Sequence, residues 1–306
     1  MKHPTSRSGI RDKGKRIRTS VSGGSQIKAA GTYPQPSGRI VGRAKVRSRP
    51  HPDPRPLFTA WPEIRARVRG ASQLAVLLDF DGTLVKLRHR PGDVRVPRRV
   101  ERILQSLVGH PNVFVAIVSG RRLRDLQTML AVRGVHTFGL HGAEREGKQT
   151  ALSRSTRRAL ARAKRDVRSE LGILPGIWLE DKILSLAVHY RGASPAIIRE
   201  AHAALAKILA PLSPNLSVLS GEKVWEILPH EIAGKGAAIQ ELLGARAGQT
   251  LAIYAGDDAA DELAFAAIPD QITVHVGKKP STCARFIIPS PAEVLRFLTR
   301  LERELP

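Results

Sequence analysis

Residues 74–85 read LAVLLDFDGTLV, a run of aliphatics that breaks into two carboxylates, Asp79 and Asp81, one residue apart. Continuous apolar strands of this kind belong in a parallel sheet buried on both faces, and their acids belong where the strand meets solvent. The same texture recurs in VFVAIVS (113–119), VHTFGLHG (135–142), LAIYAGD (251–257) and ITVHVG (272–277). Helical periods separate these runs at 97–110, 121–134, 234–245 and 260–268. Strand and helix in alternation predict a doubly wound, Rossmann-like α/β core.

One stretch breaks the rhythm. A basic helix (151–171), an alternating strand IWLEDKILSLAVHYR (177–191), a second helix (194–212) and a strand LSVLSGEKVWEILP (216–229) predict an antiparallel sheet with helices on one face. The expected division is a core of residues 56–145 and 233–306 with an inserted α+β cap over 146–232. Residues 1–70 hold 17 Lys and Arg against 3 acidic residues, so +14 of the formal +23 falls on less than a quarter of the chain. That segment is rich in Ser, Gly, Pro and Arg without an apolar period, which predicts a disordered basic tail to about residue 55. An organellar transit peptide, a solvated basic arm and an upstream-extended start share this composition. A single cysteine, Cys283, excludes an intramolecular disulfide and points to a reducing, cytoplasmic setting. No apolar run is long enough to span a membrane.

In open parallel sheets ligands bind beyond the carboxyl ends of the strands, and here those ends are polar. They read Asp79, Asp81, Gly82 and Thr83; Ser119, Gly120 and Arg121; His141 and Gly142; Gly256, Asp257 and Asp258; Lys235 begins the helix before the fourth strand. Carboxylates converging on one point repel unless a cation sits among them, and magnesium suits one or two carboxylates, a main-chain carbonyl and waters. Ser119, Lys235 and the amides near Gly82 and Gly120 offer donors to an anion such as phosphate. Residues two apart just past a strand end reach one site, so Asp79 is placed to attack phosphorus while Asp81 manages protons. This combination predicts phosphoryl transfer.

DFDGTL, SGR, a lysine ahead of the fourth strand and GDDAADE resemble, in order and context, the four motifs of the haloacid dehalogenase (HAD) superfamily of phosphohydrolases. The resemblance implies an aspartyl-phosphate on Asp79, Asp81 as acid and base, and Ser119, Gly120, Arg121 and Lys235 as phosphate ligands. It further implies magnesium on Asp79, the Asp81 carbonyl and Asp257, with Asp258 auxiliary. GLHGAE, LEDKILSLAVHYR and GEKVWEILP give a narrower resemblance, over about residues 72–290, to the trehalose-6-phosphate phosphatase family, whose cap is of the C2 type. By that resemblance Glu180, Lys182, Arg191, Lys223 and Glu226 bind sugar hydroxyls and His141 lies near the phosphate. Leu140 and Gly234 depart from the family pattern, which often has Asn and Asp there.

Plainer roles stand beside these. Asp79 and Asp81 could be turn acids, Ser119 a helix cap, Asp258 a cap as readily as a metal ligand, and Lys235 a solvated lysine. Asp261 and Glu262 read as first-turn helix acids with partial access to the site. Glu180, Lys182 and Arg191 could form cross-strand ion pairs. A magnesium-dependent trehalose 6-phosphate phosphatase is the leading function. The alternatives are a phosphatase for sucrose phosphate or mannosylphosphoglycerate, and a scaffold or nucleic-acid binder acting through the basic tail. An aromatic fraction of 4% leaves few platforms for stacking bases, so nucleic acid is expected only as a weak contact of the tail.

Overall fold

The computed structural model describes residues 54–305 except 89, 245–249 and 279–280. The expected basic tail, to about residue 55, lies outside the described residues but for its last two positions, Pro54 and Arg55. Arg55 and Pro56 form a short strand, β1 (Arg55–Pro56), because the Arg55 amide donates to Arg285 O at 3.1 Å and the Leu57 amide to Ile287 O at 2.9 Å. The Arg55 side chain closes this edge by packing over Phe286 and pairing with Glu63.

The chain continues through α1 (Trp61–Arg69), β2 (Gln73–Leu78), α2 (Arg98–Gly109), β3 (Val113–Val118), α3 (Leu123–Met129), β4 (His136–Gly139), β5 (Glu144–Arg145) and β6 (Lys148–Gln149). A second group follows: α4 (Arg154–Glu170), β7 (Trp178–Asp181), β8 (Leu186–His189), α5 (Pro195–Leu209), β9 (Leu216–Gly221) and β10 (Val224–Pro229). The chain then returns through α6 (Lys235–Gly244), β11 (Thr250–Gly256), α7 (Ala259–Ala267), β12 (Ile272–Val276), β13 (Phe286–Ile288) and α8 (Pro291–Glu302).

The larger sheet has nine strands in the order β1-β13-β12-β11-β2-β3-β4-β5-β6. Every pairing from β1 to β4 is parallel, and β5 and β6 add an antiparallel edge. Strand β2 lies between β3 and β11, so the connections leave it in opposite directions and a crevice opens at its carboxyl end. Both faces are covered. Val76 and Leu78 pack with Leu104 and Leu107 of α2 and Phe297 of α8, whereas Ala75 and Leu77 pack with Ile239 of α6 and Phe265 of α7. The α2 residues Val100, Leu104 and Leu107 follow helical spacing and present one buried face to the sheet.

The smaller sheet is antiparallel, in the order β7-β8-β10-β9. Leu186, Val188, Trp225 and Ile227 pack against α4 and α5, while Glu180, His189 and Glu226 occupy the opposite face. The predicted single strand 177–191 is a hairpin: Asp181 pairs with Leu186, and the turn between them holds Ile183 at φ 69°. Asp181 Oδ1 accepts from the Ile183 amide, and Lys164 caps both Asp181 and the Ile183 carbonyl. The predicted strand 216–229 likewise folds back at Glu222 and Lys223, with Lys223 at φ 62°.

Two core predictions change as well. The helix expected over 121–134 stops at Met129, where the backbone extends so that Leu130 and Val132 both reach the core with Ala131 outside. The strand expected over 135–142 ends at Gly139, since Leu140 and His141 turn into the left-handed region. The segments joining the two sheets lie side by side, where Glu231 Oε1 accepts from the Ser153 amide and from Thr156 Oγ1. Among the described residues no helix is long and apolar enough to cross a membrane.

Leu78, the last residue of β2 before Asp79, is fully buried. Leu78→Ala is expected to lower unfolding free energy by about 2–5 kcal/mol in chemical denaturation; a loss below about 1 kcal/mol would contradict the packing described.

Candidate active site

Strand β2 ends by donating the Asp79 amide to Ala255 O at 2.9 Å, which fixes the Asp79 side chain at the crevice between β2 and β11. Lys235, the first residue of α6, reaches in with Nζ 2.6 Å from Asp79 Oδ1 and 2.8 Å from Asp261 Oδ1. Its ammonium is almost fully buried, and although burial disfavours the charge, Asp261 and Asp79 hold its pKa well above the usual lysine value.

Asp261 is buried too, and the partial site access expected of it is not observed. Its Oδ1 accepts from Lys235 and from the Tyr254 hydroxyl, and its Oδ2 accepts from the amides of Asp257 and Asp258. Four donors saturate this carboxylate, which makes it the hub of the site. Burial still pushes its pKa upward. No sequence signal beyond the spacing within GDDAADE distinguished it from an ordinary helix acid. Asp258 caps α7 through the amides of Ala260 and Asp261. Burial pushes Asp258 up, but Lys235 and these helix contacts outweigh it and keep the carboxyl below its usual range.

Asp257 has no such satisfaction. Its carboxylate lies against Gly82, where a Cβ would come within 2.1 Å of Oδ2, and among the described residues accepts only a long bond, from Thr83 Oγ1 at 3.3 Å. Gly82 stands at φ +86°, so this close approach and the turn after Asp81 both need glycine. Burial, then Asp79, Asp258 and Asp261, push Asp257 up to about 10. Burial likewise pushes Asp79 up to about 8 despite Lys235. Carboxylate oxygens of Asp79, Asp257 and Asp261 lie within 4.8 Å of one another. With Asp261 saturated by protein donors, Asp79 and Asp257 are the hard oxygen ligands left for a divalent cation, and their reluctance to ionise is the strain such a cation relieves.

On the other side of the crevice Arg121 clamps Asp81, with Nε 2.5 Å from Oδ2 and Nη2 2.7 Å from Oδ1. The guanidinium also packs over Phe80. Ser119 Oγ accepts from the Arg121 amide at 3.2 Å. The left-handed turn after β4 is held by Leu140 N to Arg121 O at 2.7 Å and His141 N to Ser119 O at 2.8 Å. It aims His141 Nε2 at Glu226 Oε2, 3.0 Å away, and leaves His141 Nδ1 buried without a partner among the described residues.

Glu226 comes from β10 of the smaller sheet and gathers Lys182 Nζ at 3.1 Å and Ser185 Oγ at 2.8 Å on its other oxygen. Burial alone would raise its pKa, but Lys182 and His141 hold it far below the usual carboxylate range. Lys182 also donates to Gly120 O at 2.9 Å, which ties the smaller sheet to the SGR turn. Glu180 pairs with His189 Nε2 at 2.8 Å, a partner the sequence reading missed because VHY reads as strand core. Burial opposes that charge, and the His189 hydrogen bond and Lys182 lower the Glu180 pKa below its usual value. Arg191 donates to Glu222 O at 3.2 Å.

The residues expected to carry catalysis or to bind phosphate, sugar or metal line one cavity of about 160 Å³: Asp79, Asp81, Ser119, Gly120, Arg121, His141, Lys235, Asp257 and Asp258 on one side, and Glu180, Lys182, Arg191, Lys223 and Glu226 on the other. His189, Glu222, Val224, Leu87, Arg88 and Val94 complete the wall without having been foreseen.

A doubly wound sheet with Asp79 and Asp81 beyond its switch-point strand, and a second sheet facing them, defines a HAD-like fold. The C-terminal domain of trehalose-6-phosphate phosphatase from Candida albicans is similar at a TM-score of 0.70 and 20% identity, covering 79% of this chain and 96% of that one. A haloacid dehalogenase-like hydrolase from Bacteroides thetaiotaomicron is similar at 0.54 and 15%, covering 75% of this chain and 100% of that one. A family profile described as Trehalose-phosphatase matches residues 77–287. Trehalose-phosphate phosphatase of Mycobacterium leprae is 32% identical over 256 residues, which are 77% of this chain and 59% of that protein. Its counterpart in Mycobacterium marinum is 32% identical over 245 residues, 76% of this chain and 62% of that one. The chain belongs to the trehalose-phosphatase family. It spans about six-tenths of the length of these curated relatives.

The raised carboxyls set the pH dependence. In chelator-treated protein Asp79 and Asp257 keep protons that the unfolded chain releases near pH 4, so stability falls as pH rises from about 4 through 8 and towards 10. Asp257→Asn removes one of these groups and is expected to flatten the fall, raising the melting temperature at about pH 9 while changing little at about pH 4. Parallel curves for variant and parent would contradict the assignment.

Proposed function

We propose that this chain is a magnesium-dependent phosphatase that hydrolyses trehalose 6-phosphate to trehalose and phosphate through an aspartyl-phosphate. The observation that carries the reading is the single cavity in which Asp79 and Lys235 face Glu180, Lys182 and Glu226. The names of the mycobacterial relatives support the substrate. On this reading residues 146–232 form the cap that selects the sugar, residues 56–145 and 233–306 carry the chemistry, and the enzyme works in the reducing cytoplasm.

In the first step Asp79 attacks phosphorus, the bond from phosphorus to the sugar oxygen breaks, and Asp81 gives that oxygen a proton. In the second, water attacks phosphorus, Asp81 takes its proton, and Asp79 leaves as a carboxylate. Incoming phosphate competes with Asp81 for the Arg121 guanidinium, since both offer paired oxygens to its fork. Release of Arg121 onto phosphate frees Asp81 for its proton. Ser119, the Gly120 amide and Lys235 add donors, and the unpartnered His141 Nδ1 stands at the phosphate end. Asp79, Asp257 and the Asp81 carbonyl would hold magnesium, with Asp258 auxiliary, and when bound there it would supply charge neutralisation for the transferring phosphoryl group. Glu180, Lys182, Arg191, Lys223 and Glu226 offer both donors and acceptors to sugar hydroxyls, whose pairing is costly to lose once buried.

Purified protein with magnesium should release phosphate from trehalose 6-phosphate faster than from sucrose phosphate or mannosylphosphoglycerate, and chelation should stop turnover. Asp79→Asn should retain the circular dichroism of the parent and lose at least about 10³-fold in kcat. Turnover near the parent's in that variant would rule out Asp79 as nucleophile, and a preference for another ester would move the substrate assignment.

A further inference from the structure

The cavity is about 160 Å³, below the roughly 300 Å³ at which small-molecule sites usually begin. A phosphorylated disaccharide is large for such a site, which directs attention to the surfaces at its margin. Along the smaller sheet, alternate residues share a face. Glu180 lines the cavity, and Trp178, two residues earlier on β7, therefore projects to the same side just outside it.

Trp178 pairs in register with His189, and their rings lie 4.5 Å apart at 33°. His189 lines the cavity and is bonded to Glu180. The sequence holds three tryptophans, of which Trp61 and Trp225 are each 3% exposed whereas Trp178 is 47% exposed. A large indole left in solvent on an edge strand, stiffened from behind by an imidazole that itself belongs to the site, forms a flat platform continuous with a row of sugar-compatible polar groups.

We propose that Trp178, backed by His189, is the stacking platform for the distal sugar ring of a phosphorylated disaccharide and sets the preference for disaccharide over monosaccharide phosphates. This rests on the sugar-phosphatase reading above. A pyranose carries its hydroxyls around the rim and presents C–H bonds on its faces. Those polarised C–H groups meet the free face of the indole, while Glu180, two residues along the same strand, takes rim hydroxyls. Such a contact rewards a second ring and does nothing for a substrate that lacks one.

The test compares the full chain with Trp178→Ala and Trp178→Phe on trehalose 6-phosphate, glucose 6-phosphate and p-nitrophenyl phosphate. Trp178→Ala should raise KM for trehalose 6-phosphate about ten-fold, equivalent to ~1.4 kcal/mol, with kcat within about two-fold. KM for the other two esters should change less than about two-fold, and Trp178→Phe should recover most of the loss. A second readout needs no turnover: titration with trehalose should shift the tryptophan emission of the parent saturably and leave that of Trp178→Phe unchanged. Equal KM losses on all three esters, or no loss on the disaccharide, would overturn the proposal. A parent that hydrolyses other esters but ignores trehalose 6-phosphate would overturn the substrate reading instead, and the emission titration then decides the platform separately.

Discussion

The ammonium of Lys235 stands between Asp79 and Asp261 with almost no access to water, and its burial is tolerable only because both carboxylates flank it. Asp261 in turn takes the Tyr254 hydroxyl from β11 and the amides that begin the turn into α7. One charged network thus couples β2, α6, β11 and α7 at the point where the sheet's connections diverge. The direction of Asp79 follows from it. So does the position of Asp257, which is carried by the same turn and held against Gly82.

The opposing wall is governed by a similar balance of opposite sign. Glu226 is a buried anion stabilised by Lys182, His141 and Ser185, and Lys182 closes the circuit on the Gly120 carbonyl. One wall holds Asp79 and Asp257, which resist ionising, and the other keeps Glu226 firmly ionised among donors. A phosphate monoester of a polyol has matching needs, with an anionic end that wants cations and a rim of hydroxyls that wants fixed donors and acceptors.

The doubly wound core was legible because strands covered on both faces must be apolar throughout, and polar residues then stand out at their ends. Asp79, Ser119 and Asp257 lie where that contrast puts them. Hairpins were harder. The turn at 182–185 lacks glycine and proline, and Ile183 adopts a left-handed backbone that its side chain disfavours, so the alternating pattern read through it as one strand. The hub role of Asp261 was hidden for another reason: it arises from tertiary contacts with Lys235 and Tyr254, and local spacing marks the residue only as a helix acid. Helix α3 ended early because Leu130 and Val132 follow a period of two into the core.

Glu231 holds the outgoing segment at Ser153 and Thr156 while itself lying on the returning one. Its single carboxylate pins together the two ends of the excursion that builds the smaller sheet. Chain inserted between two ends already in contact adds little closure entropy to the framework it leaves, whatever its length. The smaller sheet is in that sense a replaceable attachment, able to diverge in size and sequence through evolution while β2, Lys235 and the geometry around Asp79 stay as they are.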